Sequence, residues 1–215
     1  RSSDLGSMNL SNNFKESMNL KNTIDEKKLI QSLKDRNEKA FEYLVRTYQN
    51  RLLVVASGIT LDREEALEIV QEVFITVYQK IDTFREETTI LAWMRKITVN
   101  RALNWRRKWL KKLGWNILST DVDMDIDGDS NTSKINISDN ITPESSYIDL
   151  EAEKNLMDTI SALPEKMRAV FILRVSENLS YDEIAKTLNI KVGTVRSRIH
   201  NARQIIEKRL ANIDN

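Results

Sequence analysis

The residues of this sequence whose types and spacing point to chemistry are hydrogen-bond donors rather than nucleophiles. Between Val192 and Arg209, Arg196, Arg198 and Arg203 alternate with Ser197, His200, Asn201 and Gln204. At about 100° per residue, those four polar residues share one helix face, opposite an apolar stripe of Val195, Ile199, Ala202, Ile206 and Leu210. Arg196 and Arg203 run along one flank of that face and Arg198 along the other. Guanidinium forks suit phosphate oxygens and guanine edges, while hydroxyl and amide groups reach other base edges. Such a face is either that of a recognition helix or a plain solvated surface. A preceding short helix and tight turn favour the first. His200 fits a DNA contact or an ordinary surface residue.

Two further constellations lie upstream. On a helix expected from about Thr89 to Lys111, Ile90, Met94, Ile97 and Trp105 face inward while Lys96, Asn100 and Arg107 project together. An amide flanked by cations can pair with a base edge while the charges hold phosphates. Trp93 and Trp105 read first as core, whereas Phe84 is balanced between core and base-stacking roles. The third set is Glu68, Gln71, Glu72, Ile75 and Gln79, which lie away from the apolar stripe of their helix. Carboxylates around an outward isoleucine suit a partner offering basic and apolar groups, or a solvated face with one stray apolar residue.

Bond-making chemistry finds little support. The sequence has no cysteine and one histidine, His200, which excludes disulfides, thiolate catalysis, cysteine-ligated zinc and histidine clusters. No phosphate-cradling glycine loop or nucleophile–base pair is evident, and no cofactor or metal is expected. Asp123-Met-Asp125-Ile-Asp127-Gly128-Asp129 opens like a calcium loop, but its twelfth position is Lys134 instead of a bidentate Glu. No apolar run approaches the roughly 18 residues of a membrane span. The opening RSSDLGSM reads as a cloning scar and the chain as cytoplasmic, with no membrane insertion.

The elements that must position these residues are helical. Only two prolines and five glycines occur in 215 residues, and the charged residues are mostly good helix formers. Residues 1–23 are expected to be disordered. A short helix is predicted over Asp25–Lys34, and a long one from Glu38 to Ser57, capped by Asn37 and stopped at Gly58. Its stripe is Phe41, Leu44, Val45, Tyr48, Leu52 and Val55. Asp62 to Glu65 reads as a capping box before a helix striped by Ala66, Val70, Val73, Val77 and Ile81. After an Asp/Asn/Ser-rich stretch, helices are predicted near 144–161, 165–177, 181–188 and 192–210. Ser180 to Glu183 forms a second capping box, with Asn189-Ile190-Lys191 as the tight turn.

Charge divides the chain the same way. Arg95–Lys112 carries eight basic residues (Arg95, Lys96, Arg101, Arg106, Arg107, Lys108, Lys111 and Lys112) and no acid. From Leu113 to Leu150 there are eight acids against Lys134 alone, and from Lys186 to Arg209 seven basic residues face only Glu207. Two basic patches on either side of an acidic tether suit two phosphate-binding modules on one chain, despite a net charge of +1. The tether is either a plain solvated linker or a polyanion mimic for a channel that holds nucleic acid.

Six segments carry a resemblance to a known family. Leu163-Pro-Glu-Lys-Met-Arg-Ala-Val-Phe-Ile-Leu-Arg174, Leu179-Ser-Tyr-Asp-Glu-Ile-Ala185 and Gly193-Thr-Val-Arg-Ser-Arg-Ile-His-Asn-Ala-Arg203 resemble region 4 of ECF (extracytoplasmic function, group IV) sigma factors of the sigma-70 family. Ala40 to Tyr48, Glu68 to Phe74 and Ala92 to Asn100 resemble sigma region 2. In that family an Asp often stands where this chain has Glu68, and an acid where it has Leu67. The resemblance implies an all-α fold of two small helical domains, a region 2 bundle over 24–112 and a region 4 helix-turn-helix over 143–215, joined by a flexible acidic linker over 113–142. It implies a transcription initiation factor that binds core bacterial RNA polymerase at the β′ clamp helices and β flap, and also binds promoter DNA and an anti-sigma factor. The residues implied for the −35 element are Thr194, Arg196, Ser197, Arg198, His200, Asn201 and Arg203. For the −10 element they are Phe84, Lys96, Asn100, Arg101, Asn104 and Arg107, with the loop Phe84–Thr89 capturing a flipped base. For the clamp they are Glu68, Gln71, Glu72 and Ile75.

Overall fold

The structure, a computed structural model, describes residues 25–113 and 158–213. The described residues are helices joined by short turns. They comprise α1 (25–34), α2 (Glu38–Thr60), α3 (Arg63–Lys80) with a 3-10 turn (Ile81–Thr83), and α4 (Ile90–Lys112). After a helical turn at 158–161 come α5 (Glu165–Ser176), α6 (Tyr181–Leu188) and α7 (Val192–Ile213). The acidic tether, the calcium-like Asp123–Asp129 segment, the amino-terminal residues 1–23 and most of the helix expected at 144–161 lie outside the described residues.

Capping chemistry sets the boundaries. The Asn37 side chain accepts from Ala40 N at 3.1 Å and opens α2. Gly58 does not end that helix. The helix runs on to Thr60 and closes at Leu61, which takes the left-handed conformation (φ 59°) and donates its N–H to Ser57 O at 2.8 Å. Gly58 instead serves packing, as described below. Asp62 caps α3 by accepting from Glu65 N at 2.9 Å, but the reciprocal half of the expected box is missing. The Asp62 N–H donates to Thr60 Oγ1 at 3.2 Å instead, while the Glu65 carboxylate is engaged by the Trp105 side chain. Glu26 of α1 reaches across to accept from Ile90 N at 2.7 Å, so α1 helps Thr89 cap α4.

The core of the first half lies between α2, α3 and α4. Leu44, Leu52, Val55, Ile59, Ala66, Val73, Val77, Ile81, Ile90 and Met94 are all essentially inaccessible. Burying a side chain of this kind contributes about 1.5–3 kcal/mol relative to exposure. In the second half, Leu163, Val170, Leu173, Ile184, Val195, Ile199 and Ala202 fill the space between α5, α6 and α7. The apolar stripe of α7 stops short of its predicted end. Ile206 is half-buried and Leu210 is 46% exposed. The halves also touch, α2 against α5 and α4 against α6, so a single apolar cluster runs through both.

Candidate nucleic-acid interface

The helix-turn-helix is built from local signals that agree with one another. Ser180 Oγ accepts from Glu183 N at 3.3 Å and the Glu183 carboxylate accepts from Ser180 N at 2.8 Å, completing the capping box of α6. The bonds that Ser180 N and Ser180 Oγ donate to it hold the Glu183 carboxyl below the usual carboxylate range. Asn189 ends α6 with φ 54°, a left-handed position that asparagine tolerates, and its N–H donates to Ala185 O. The turn thus aims α7 away from α6. Arg174 of α5 braces the entry: its Nη1 donates to Leu179 O at 2.7 Å while its guanidinium lies 5.6 Å from the Tyr181 ring centroid.

On α7, Val195, Ile199 and Ala202 anchor the inner face. Arg196, Ser197, His200, Arg203 and Gln204 are exposed, with Thr194, Arg198 and Asn201 half-buried at the edges. Ser197 Oγ donates back to Thr194 O at 3.1 Å, which leaves its lone pairs to accept from a partner. The seven residues expected to meet duplex DNA therefore sit on or beside one outward strip.

The α4 face is narrower than its composition suggests. Lys96, Asn100, Asn104 and Arg107 are exposed, and Arg107 Nη2 donates to Asn104 Oδ1 at 2.8 Å. Asn104, Arg107, Lys108 and Lys111 line a shallow basic groove. Two cations of the predicted patch are buried and do not reach the exposed face. Arg95 and Arg106 are 6% and 5% exposed, the first held by a carboxylate of α5's C-terminal cap and the second stacked 4.5 Å over Trp109. Phe84 is likewise not presented to solvent. It is 7% exposed and stacks on Trp93, ring centroids 5.0 Å apart, which resolves both side chains toward packing and leaves the loop Arg85–Thr89 to face outward. Trp105, half-buried, stacks on Trp109 at 6.2 Å.

Arg101 links this face to the third constellation: its guanidinium pairs with Glu72 and donates from Nη2 to Thr76 Oγ1 at 3.2 Å. Glu68, Gln71, Glu72, Ile75 and Gln79 are exposed as expected, Ile75 at 55%. Burial and the carboxylates of Glu68 and Asp62 push the Glu65 carboxyl up, a sign of concentrated negative charge along α3. Sequence reasoning missed Tyr78, 50% exposed on the same side of α3, and treated Leu67, 42% exposed, only as a departure from a family pattern. The spacing of Leu67, Ile75 and Tyr78 carries the signal, exposed apolar side chains on one side of α3 beside the carboxylates.

Among the described residues no group of His, Asp or Glu is placed to hold a metal ion, and no helix is long and apolar enough to cross a membrane.

Residues 44–111 match the family Sigma-70 region 2 and residues 153–206 match Sigma-70, region 4. The chain is 35% identical over 184 residues to the ECF RNA polymerase sigma-E factor of Haemophilus influenzae, covering 85% of this chain and 93% of that protein. It is 32% identical to the RNA polymerase sigma-H factor of Pseudomonas aeruginosa, with 86% and 93% covered. Among solved structures it is similar to CnrH in complex with the cytosolic domain of CnrY, with a TM-score of 0.61 at 19% identity, covering 88% of this chain and 99% of that one. The sigma factor RpoE in complex with the anti-sigma factor NepR from Bartonella quintana matches with a TM-score of 0.57 at 17% identity, over 80% of this chain and 98% of that one.

Proposed function

Because the chain belongs to the ECF group of the sigma-70 family of RNA polymerase sigma factors, we propose that it directs core bacterial RNA polymerase to promoters by reading −35 duplex with α7 and opening the −10 element with α4. The observation that carries this reading is the pair of outward DNA-competent strips on separate halves of one chain, with an acidic, partly apolar face beside one of them. The role is binding and positioning; bond formation belongs to the polymerase.

At the −35 element, Thr194, Ser197, His200 and Asn201 meet base edges while Arg196, Arg198 and Arg203 hold phosphates or guanine. At the −10 element, Lys96, Arg101 and Arg107 hold the backbone of the opened strand and Asn100 and Asn104 pair with unstacked bases. The loop Arg85–Thr89 receives the flipped base, and Phe84 supports that loop from beneath through its stack on Trp93. Glu68, Gln71, Glu72 and Ile75, extended by Leu67 and Tyr78, receive the β′ clamp helices, and the 143–215 domain packs on the β flap. The domain division proposed is 24–112, an acidic linker at 113–142, and 143–215. An anti-sigma factor fits as a further partner, since the sigma factor RpoE is seen in such a complex.

Run-off transcription with purified core polymerase tests the proposal. Core plus this chain should start from a defined promoter on genomic fragments, and core alone should not. The absence of any promoter-specific transcript would overturn it, and tight duplex binding that owes nothing to core would point to a stand-alone regulator instead.

A further inference from the structure

The two halves are docked through a seam of unusual composition. On α2, a Cβ added at Gly58 would meet Ile172 Cδ1 at 2.7 Å and Cγ1 at 2.9 Å, so only glycine allows α5 to cross this close. Beside the crossing, the last carbonyls of α2 receive guanidiniums from both halves. Arg168 of α5 donates from Nη1 to Ile59 O at 3.1 Å, and Arg106 of α4 donates from Nη1 to Thr60 O at 3.2 Å. About two turns earlier along α2, the Glu177 side chain, 3% exposed, lies between two arginines of the first half. It accepts from Arg95 Nε and Nη2 at 3.0 and 2.7 Å, and from Arg51 Nε and Nη2 at 3.2 and 2.9 Å.

A seam of this kind is specific and yet separable. Glu177 and Arg95 are buried there and are stable only as a pair, with the half-exposed Arg51 closing the cluster from its solvent side, whereas each charge regains full hydration once the halves part. The proposed function requires them to part. The −35 and −10 positions differ by about 25 base pairs, roughly 85 Å of duplex at 3.4 Å per pair. Even if all 215 residues packed together, the chain would be only about 45 Å across. One docked body cannot place α7 on one element and α4 on the other.

We propose that the docked arrangement is a self-inhibited resting state, in which the cluster of Glu177, Arg51 and Arg95 latches the region 4 domain onto the region 2 domain and must open before both faces engage a promoter. The latch rests on the promoter-reading function proposed above, and its test separates the two.

Small-angle X-ray scattering of the full chain should show a compact wild type and a larger radius of gyration for both Glu177→Ala and Gly58→Leu. The first removes the carboxylate and leaves Arg95 buried without its partner. The second leaves the charges intact, favours helix in α2 and wedges the crossing apart. Both should lower the factor concentration for half-maximal run-off transcription by roughly three- to tenfold, because a larger fraction of molecules is competent. A wild type already as extended as the variants, or variants that stay compact, would overturn the latch. Expansion with an unchanged half-maximal concentration would overturn its inhibitory role. Failure of all three chains to support transcription would sink the promoter-reading function and the inhibition that depends on it, while an extended wild type sinks the latch alone.

Discussion

At the residue scale, the useful distinction is between arginines that face solvent and arginines that the fold consumes. Arg196 and Arg203 are exposed on the outer strip of α7, whereas Arg168 is 3% exposed and donates to Ile59 O, Ser161 O and Leu163 O. Burial, with Arg106 nearby, depresses the Arg168 pKa to about 10, still well above neutrality, so it stays charged as a structural tie. Replacing Arg196 or Arg203 by alanine should weaken −35 duplex binding by about 1–3 kcal/mol if the guanidinium reads guanine. If it holds a phosphate, the salt dependence should fall by about one unit in slope with sequence preference unchanged. Fluorescence anisotropy over a salt series distinguishes these outcomes, and core binding should be unaffected in a pull-down. Arg168→Ala should instead unfold the seam, because it strips several carbonyls of their donor at once.

At the element scale, α6 depends on its cap more than its eight residues would suggest, since so short a helix has little internal stability. Ser180→Ala should cost about 1 kcal/mol in chemical denaturation. The pH dependence follows from Glu183, whose folded pKa lies below its unfolded value because the charged form accepts from Ser180. Its contribution is therefore complete above the ordinary carboxylate pKa and is lost as pH falls through the depressed folded value. Wild type should lose α6 stability over that acidic window, and Glu183→Gln should flatten that part of the profile in thermal melts followed by circular dichroism. A cap that did not favour the charged form would leave the two profiles parallel.

For the whole molecule, the apolar cluster that continues from the α2–α4 bundle into α5–α7 makes a statement about cooperativity. Two domains with one shared core should unfold together, so calorimetry of the wild type should show a single transition. Breaking the seam with Glu177→Ala should split it into two, each near the stability of a separate domain. Two resolved transitions in the wild type would show that the seam contributes too little to couple the halves.

The sequence by itself determined the elements and their types. Helical periodicity placed α2, α3, α4, α6 and α7, the box at Ser180–Glu183 marked where α6 begins, and polar positions opposite the stripe of α7 identified its outer strip. These signals are local, because a helix registers them over three or four residues. Tertiary structure alone decided the fate of side chains that either environment could accept. Phe84 went to the core, Arg95 left the basic patch for a buried ion pair and Arg106 for the Thr60 carbonyl and the Trp109 ring, and Gly58, a plausible helix stop in the sequence, became the point where α5 crosses α2. The physical reason is common to all of them. Burial and charge pairing are settled by residues that arrive from far along the chain, as Glu177 reaches Arg51 and Arg95, and no local pattern records which partner will be there.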